Sequence, residues 1–286
     1  MLSKEGRISL FSFFISLIIS ILPEVLLRLE FDYYQQFIEN IWILHALQFT
    51  LLNFLLILTF RGFSYQVSVR ASLLGYIFGV GILIFATAPQ SWQIFGIYTS
   101  VLAFFHYSEF MTIAWTNPNA ISIDSFILNH SVAYGVAACS SWLEFFVERY
   151  YFPTMKEPSS ISYFGFILCF CGEILRKLAI FTAKRNFNHI VQTEKNVDHE
   201  LITHGVYGLF RHPSYVGWFY WSIGTQLILQ NPFCFLAYVA ASWKFFNERV
   251  KIEEIMLLNF FGEKYIEYQN DVGTGLPFIS GYKIDL

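Results

Sequence analysis

The sequence predicts an all-α, polytopic integral membrane protein, and three observations carry that prediction. Of its 286 residues, 55% are hydrophobic, 20% aromatic and only 14% charged, whereas a soluble domain carries about 25% charged residues. Apolar runs recur at roughly 8–29, 40–60, 71–88, 93–116, 124–147, 161–183, 213–230 and 233–249, and a helix crossing the hydrocarbon layer needs about 20 predominantly apolar residues. Lys and Arg cluster near the ends of these runs instead of forming a stripe. About eight transmembrane helices follow.

Taken in order, the first run is preceded by Lys4 and Arg7, as in a signal peptide, but no small-residue cleavage site follows Leu22, where Pro23 and Glu24 come next. It reads as a retained helix. The third run is the shortest, and Gly75, Gly79 and Gly81, with Ala71 nearby, give it a small face suited to close helix approach. If eight spans alternate, Lys4/Arg7, Arg61/Arg70, Lys184/Arg185 and the segment after Arg249 share one side, opposite Glu30, Asp32, Glu39 and Lys156/Glu157. The positive-inside rule then makes both termini cytosolic. Only Gln230, Asn231 and Pro232 separate the last two runs, which predicts a C-terminal helical hairpin whose second helix starts after the proline. The sequon Asn129-His130-Ser131 is expected to be buried in the membrane, and the terminal Lys283-Ile284-Asp285-Leu286, faintly like an ER-retrieval tag, to be cytosolic. Both then read as idle.

Composition also excludes partners. A net charge of -3 provides no basic field for nucleic acid. Cys139, Cys169, Cys171 and Cys234 all lie in apolar segments without zinc-ligand spacing, and read as buried thiols.

The longest polar stretch between runs is "KRNFNHIVQTEKNVDHELITHGVYGLFR", residues 184–211. Its His189, His199 and His204, with His212 beyond, have no i,i+4 pair and no completing ligand, so no metal is expected. It leads into "RHPSYVGWFYW", where Pro213 takes a first-turn helix position. The unpaired N–H groups of that turn suit an anionic or polar ligand, and His212 and Tyr215 bracket it. Trp218, Phe219, Tyr220 and Trp221 read as an interfacial belt, while Arg211 stays open between headgroup anchor and cofactor neighbour. Further on, "SWKFFNERVKIEEIMLLNFF" predicts a last helix that runs past the membrane surface. On a 3.6-residue wheel Lys244, Glu248 and Lys251 form a solvated face. Arg249 and Glu253 instead share the face of Phe245, Met256 and Phe260 and look inward, as an ion pair or as a functional pair. An Arg fork matches a carboxylate and stays charged near lipid.

The strings "FNHIVQTEK", "LITHGVYGLFRHPSYVGWFYWSIGTQ" and "NERVKIEEIMLLNFFGEKYIEYQNDVGTGLPFI" closely resemble the isoprenylcysteine carboxyl methyltransferase family. The resemblance is specific over about the last hundred residues and rests on hydropathy before them. It implies N-terminal transmembrane helices over 1–116 and a catalytic membrane methyltransferase region over 117–286, with a cytosolic cofactor-binding segment at 184–217. It further implies S-adenosylmethionine as cofactor, leaving as S-adenosylhomocysteine, without metal. Gln192, His199, Glu200, Leu201, Ile202, Tyr207, His212, Pro213, Ser214, Tyr215 and Glu253 would bind it, and Arg249 would hold the substrate, with Arg249 and Glu253 as the catalytic pair. The implied partners are membrane lipid and the prenylated C-terminal cysteine of processed CaaX proteins, whose carboxylate is methylated at the endoplasmic reticulum membrane. Two other readings are a sterol reductase using NADPH and a non-enzymatic prenyl-binding membrane protein.

Overall fold

A computed structural model describes residues 2–29, 40–128, 131–195 and 199–283. Glu30, Asp32, Glu39, Asn129, His130 and residues 284–286, on which parts of the orientation, sequon and retrieval-tag expectations rest, lie outside the described residues. The regular structure among the described residues is helical: α1 Lys4–Leu29, α2 Ile41–Thr59, α3 Gly62–Thr87, α4 Gln90–Thr116, α5 Val132–Tyr151, α6 Ser160–Ala183, α7 Pro213–Leu229, α8 Pro232–Phe261 and α9 Glu263–Asp271. Among these, Lys4–Leu26, Ile41–Thr59 and Gly62–Thr87 are long and apolar enough to cross a membrane by length and composition. The later helices mix Trp, Tyr, Ser and Gln into their apolar runs, and such residues lower a hydropathy average without preventing burial.

The chain divides into two compact units, residues 1–132 with 148–158, and residues 133–147 with 159–286. In the first, α3 packs between α1 and α4. A Cβ added at Gly75 would stand 2.2 Å from the Phe13 carbonyl oxygen, and one at Gly79 1.9 Å from Ser20 Oγ, so backbone proximity requires the small face. This helix is longer than its apolar run. It starts at Gly62 because Val67, Ser68 and Ala71 in its more polar front half are buried too. The fifth helix starts later than expected, at Val132 instead of residue 124. Ser122 and Ser125 cap a short 3-10 turn there, and Ile127 turns the chain at φ 54°.

In the second unit α7 is the central helix, buried on nearly every side, as expected of a helix that is apolar all round. It lies directly against α6, where a Cβ on either Gly172 or Gly217 would meet the other's carbonyl oxygen at 2.5 Å. The aromatics after Gly217 are therefore packing and not a belt: Phe219 and Trp221 are each 3% exposed, and Tyr220 alone of the four points outward. After α7, Gln230 closes the turn in the left-handed region, and the Glu144 carboxylate accepts the Phe233 and Cys234 amides at 2.7 and 2.6 Å, capping α8 just after Pro232. Two cysteines depart from expectation, since Cys169 and Cys234 are buried but Cys139 and Cys171 are exposed on helix surfaces.

The face of α8 that is buried also differs from the sequence reading. Phe246, Val250, Glu254 and Leu258 are interior, whereas Phe245 is exposed and Arg249 and Glu253 lie half-buried on the flank. Two faces about 100° apart both carry apolar residues, and tertiary cover decides between them. That cover is α7 together with the extended C-terminal strap after α9, whose Leu276 and Ile279 join Val216, Phe246 and Val250 in one core. Lys244, Glu248 and Lys251 are exposed.

Candidate active site

A cavity in the second unit is built from five stretches of chain: the end of α6 with the turn after it, the loop 199–202, the 3-10 turn Gly205–Gly208, the first turn of α7 with the residues before it, and the flank of α8 with α9. Its lining includes His199, Glu200, Leu201, Ile202, Tyr207, His212, Pro213, Ser214, Tyr215 and Glu253, which is every cofactor residue implied by the resemblance except Gln192. The Gln192 amide instead donates to the Ile190 carbonyl at 3.1 Å. Ala183, Asn186, Phe187, Asn188, Leu257, Tyr265 and Tyr268, not marked by sequence, complete the wall together with Arg211, which the sequence leaves open as a cofactor neighbour.

Pro213 sets the geometry of the α7 end, because its ring fixes φ at a position whose N–H would have no helical partner. One turn of helix brings His212 and Tyr215 into parallel stacking, centroids 5.5 Å apart with planes 5° apart. The Tyr215 hydroxyl donates to Glu253 Oε2 and accepts from Arg249 Nε at 3.1 Å, so Tyr215 stands between the two charges. Arg249 also donates through Nη2 to the His189 carbonyl at 2.7 Å. Arg249 does not itself line the cavity and adjoins it through Tyr215. Below the same turn Arg176, 2% exposed, donates to Ser214 Oγ at 2.7 Å and lies 4.8 Å from the Trp218 ring centroid. A cation inside the apolar run 161–183 was the available signal for it.

Across the cavity, burial and then the charge of Lys195 lower the His199 pKa, favouring its neutral form. Its Nδ1 is buried without a hydrogen-bond partner among the described residues. Burial, reinforced by the Glu253 charge, pushes the Tyr207 phenol up, so it stays protonated. The cavity thus offers a carboxylate, an uncommitted imidazole nitrogen, amide side chains and an apolar wall of Phe187, Leu201, Ile202 and Leu257.

Sequence reasoning missed the most buried charge of the region. Glu254 is fully buried, and its Oε1 accepts from Arg211 Nε at 2.8 Å and His212 Nε2 at 3.1 Å. Its burial acts to raise the carboxyl, but the hydrogen bond and charge of His212, with Arg211, outweigh it and hold Glu254 below the usual carboxylate range. Arg211 is 5% exposed and is not a headgroup anchor, since its guanidinium also reaches the carbonyls of Gln269, Val272 and Ser280. The signal was the i,i+4 series 246/250/254/258, which competes with the neighbouring one. Among the described residues no group of three or more His, Cys, Asp or Glu is placed to hold a metal.

The fold and site define an all-α membrane protein with a polar cavity set into its C-terminal helices. The isoprenylcysteine carboxyl methyltransferase (ICMT) family profile matches residues 165–259, which include most of the cavity wall. The chain is 50% identical over 286 residues to the protein-S-isoprenylcysteine O-methyltransferase of Xenopus laevis, covering 99% of this chain and 98% of that one. It is 58% identical to the Tribolium castaneum protein of the same name, over 79% of this chain and 80% of that one, and 53% identical to the Homo sapiens protein over 82% of each. A solved structure of the eukaryotic intramembrane Ras methyltransferase ICMT superposes with a TM-score of 0.92 at 51% identity, covering 99% of this chain and 100% of that one. The chain belongs to the isoprenylcysteine carboxyl methyltransferase family.

Proposed function

We propose that this protein transfers a methyl group from S-adenosylmethionine to the C-terminal carboxylate of a prenylated cysteine, left when a CaaX tail has been processed. The observation that carries the reading is the convergence of separate chain segments on one cavity, with Tyr215 and Glu253 in its wall and Arg249 bonded to Tyr215.

The lining fits the cofactor by its chemistry. Glu253 matches an ammonium or sulfonium charge, the buried Nδ1 of His199 offers a partner to a polar group, and Phe187, Leu201, Ile202 and Leu257 suit an adenine face. Glu200, Tyr207, His212, Pro213, Ser214 and Tyr215 complete the grip, and Gln192 would join from outside the present lining. Bound there, S-adenosylmethionine supplies an activated methyl group on a cationic sulfur. The chain's own residues then have little chemistry to perform. A terminal carboxyl titrates near about 3.3–3.7, so the attacking oxygen is already ionised at neutral pH and no general base is needed. Arg249 would present its remaining N–H groups to that carboxylate while the Tyr215 hydroxyl and the His189 carbonyl each hold one donor, which orients the attack. The apolar wall excludes water from a step in which charge is dispersed.

We further infer about eight spans, with α4 to α8 supplying those beyond the three most apolar helices. Both termini and the cavity face the cytosol, and the endoplasmic reticulum membrane is the site of action. The second unit carries catalysis, and the prenyl chain reaches Arg249 from lipid. Family membership leaves the reductase and the non-catalytic prenyl binder without a supporting observation. The test is transfer of a labelled methyl group from S-adenosylmethionine to a minimal prenylated cysteine by the pure protein in lipid. Folded protein that yields no labelled ester would refute the reading.

A further inference from the structure

The Glu254 carboxylate faces the cavity wall with one oxygen and the end of the chain with the other. Oε1 takes Arg211 Nε and His212 Nε2, while Oε2 takes the Tyr282 amide at 2.6 Å and Gln269 Nε2 at 3.1 Å. Arg211 is bonded in turn to the strap by its side chain, at Val272 and Ser280, and by its backbone N–H, at the Gly273 carbonyl at 2.8 Å. The His212 backbone N–H meets the Thr274 carbonyl at 3.4 Å. Farther along, Trp243 Nε1 donates to the Pro277 carbonyl at 2.9 Å, and Leu276 and Ile279 are buried. The strap is thus seated by apolar side chains and ends at a charged hub that also holds a residue of the cavity wall.

The close fit is visible at Gly281. Its φ is +83°, and a Cβ there would stand 1.9 Å from Glu254 Oε2. A glycine is required because the backbone must approach the carboxylate in a left-handed conformation. An ionised carboxylate only accepts hydrogen bonds, so His212 must present Nε2–H to it, which fixes the orientation of the imidazole stacked on Tyr215.

We propose that Glu254 is a positioning residue and the strap from Val272 to Tyr282 a working part of the site: seating of the strap on Glu254 holds His212 and Tyr215 in the orientation that receives the cofactor. Neither Glu254 nor the strap beyond it lines the cavity, so the effect passes through His212 and its neighbour Arg211, which do. This inference rests on the methyltransferase reading for the identity of the ligand.

Three variants of the full chain in lipid test it: Glu254→Gln, Gly281→Ala, and a chain ended after Ser280. Each is read by S-adenosylmethionine binding and by the separate KM values for S-adenosylmethionine and a prenylated cysteine. Loss of a hydrogen bond to a charged partner corresponds to a fall of about tenfold or more in affinity. The expected result is that rise in Kd and KM for S-adenosylmethionine, little change in KM for the prenylated cysteine, and a Glu254→Gln/Gly281→Ala double variant no worse than the weaker single. A purely structural role would lower the yield of active protein and leave both KM values unchanged, which overturns the proposal, as would additive effects in the double variant. If Glu254→Gln does not fold, the two strap variants decide the matter, because neither alters the hub's own side chains. Failure of the wild-type chain to bind S-adenosylmethionine would instead refute the methyltransferase reading.

Discussion

Tyr215 shows how much chemistry one side chain can organise, because its ring stacks on His212 while its hydroxyl joins Arg249 to Glu253. Replacing Arg249 by Ala is expected to lower methyl transfer at least about 100-fold while S-adenosylmethionine affinity stays within a few-fold, since charge-assisted hydrogen bonds to a substrate carboxylate are the stronger kind. Turnover assays beside a binding titration check this, and normal turnover would return Arg249 to a structural role. Tyr215→Ala should instead weaken cofactor binding, by loss of a cavity wall. At Glu254 the folded carboxyl titrates below its ordinary range. Its contribution to stability is therefore complete above the unfolded carboxylate pKa, about 4.3, and is lost as pH falls through the lower folded value. Acid unfolding of the wild type and Glu254→Gln should converge at low pH and separate above it. At this scale the sequence was informative where a motif constrained it, at Pro213 and Tyr215. It was silent on Glu254, whose burial depends on a strap some twenty residues later in the chain.

For the helices, sequence and structure agree on type and differ on limits. Hydropathy finds apolar runs, but Gly62–Thr87 extends well before Ala71, with Val67 and Ser68 of its front half buried against protein, a distinction no hydropathy average makes. Pro213 and Pro232 gave true starts because a proline at the first turn acts locally. The inward face of α8 was misread by one residue, since two apolar stripes compete and only the strap's position selects 246/250/254/258. The close approach of α6 to α7 makes a further expectation. Gly217→Leu should force the helices apart at Gly172, costing about 1–3 kcal/mol as overpacking does. The displaced first turn of α7 should lower cofactor affinity as well, and thermal melting with and without S-adenosylmethionine measures both effects.

Across the whole molecule, the composition excluded a soluble protein, and the comparisons place the chain in a membrane methyltransferase family. The number of spans is less legible. Only three helices among the described residues are long and apolar enough to cross a membrane by composition, and later ones carry polar side chains such as those at the cavity and the α7–α8 turn. Polar groups inside such helices are expensive and gather where function or satisfied networks require them. The central claim is that this cavity methylates the carboxylate of a prenylated cysteine. The most direct measurement is transfer of a labelled methyl group from S-adenosylmethionine to N-acetyl-S-farnesylcysteine by the purified chain in lipid, with Arg249→Ala alongside. The account expects a labelled, base-labile methyl ester from the wild type and almost none from the variant. Folded wild-type protein that binds S-adenosylmethionine yet forms no ester, or a variant that forms as much ester as the wild type, would contradict it.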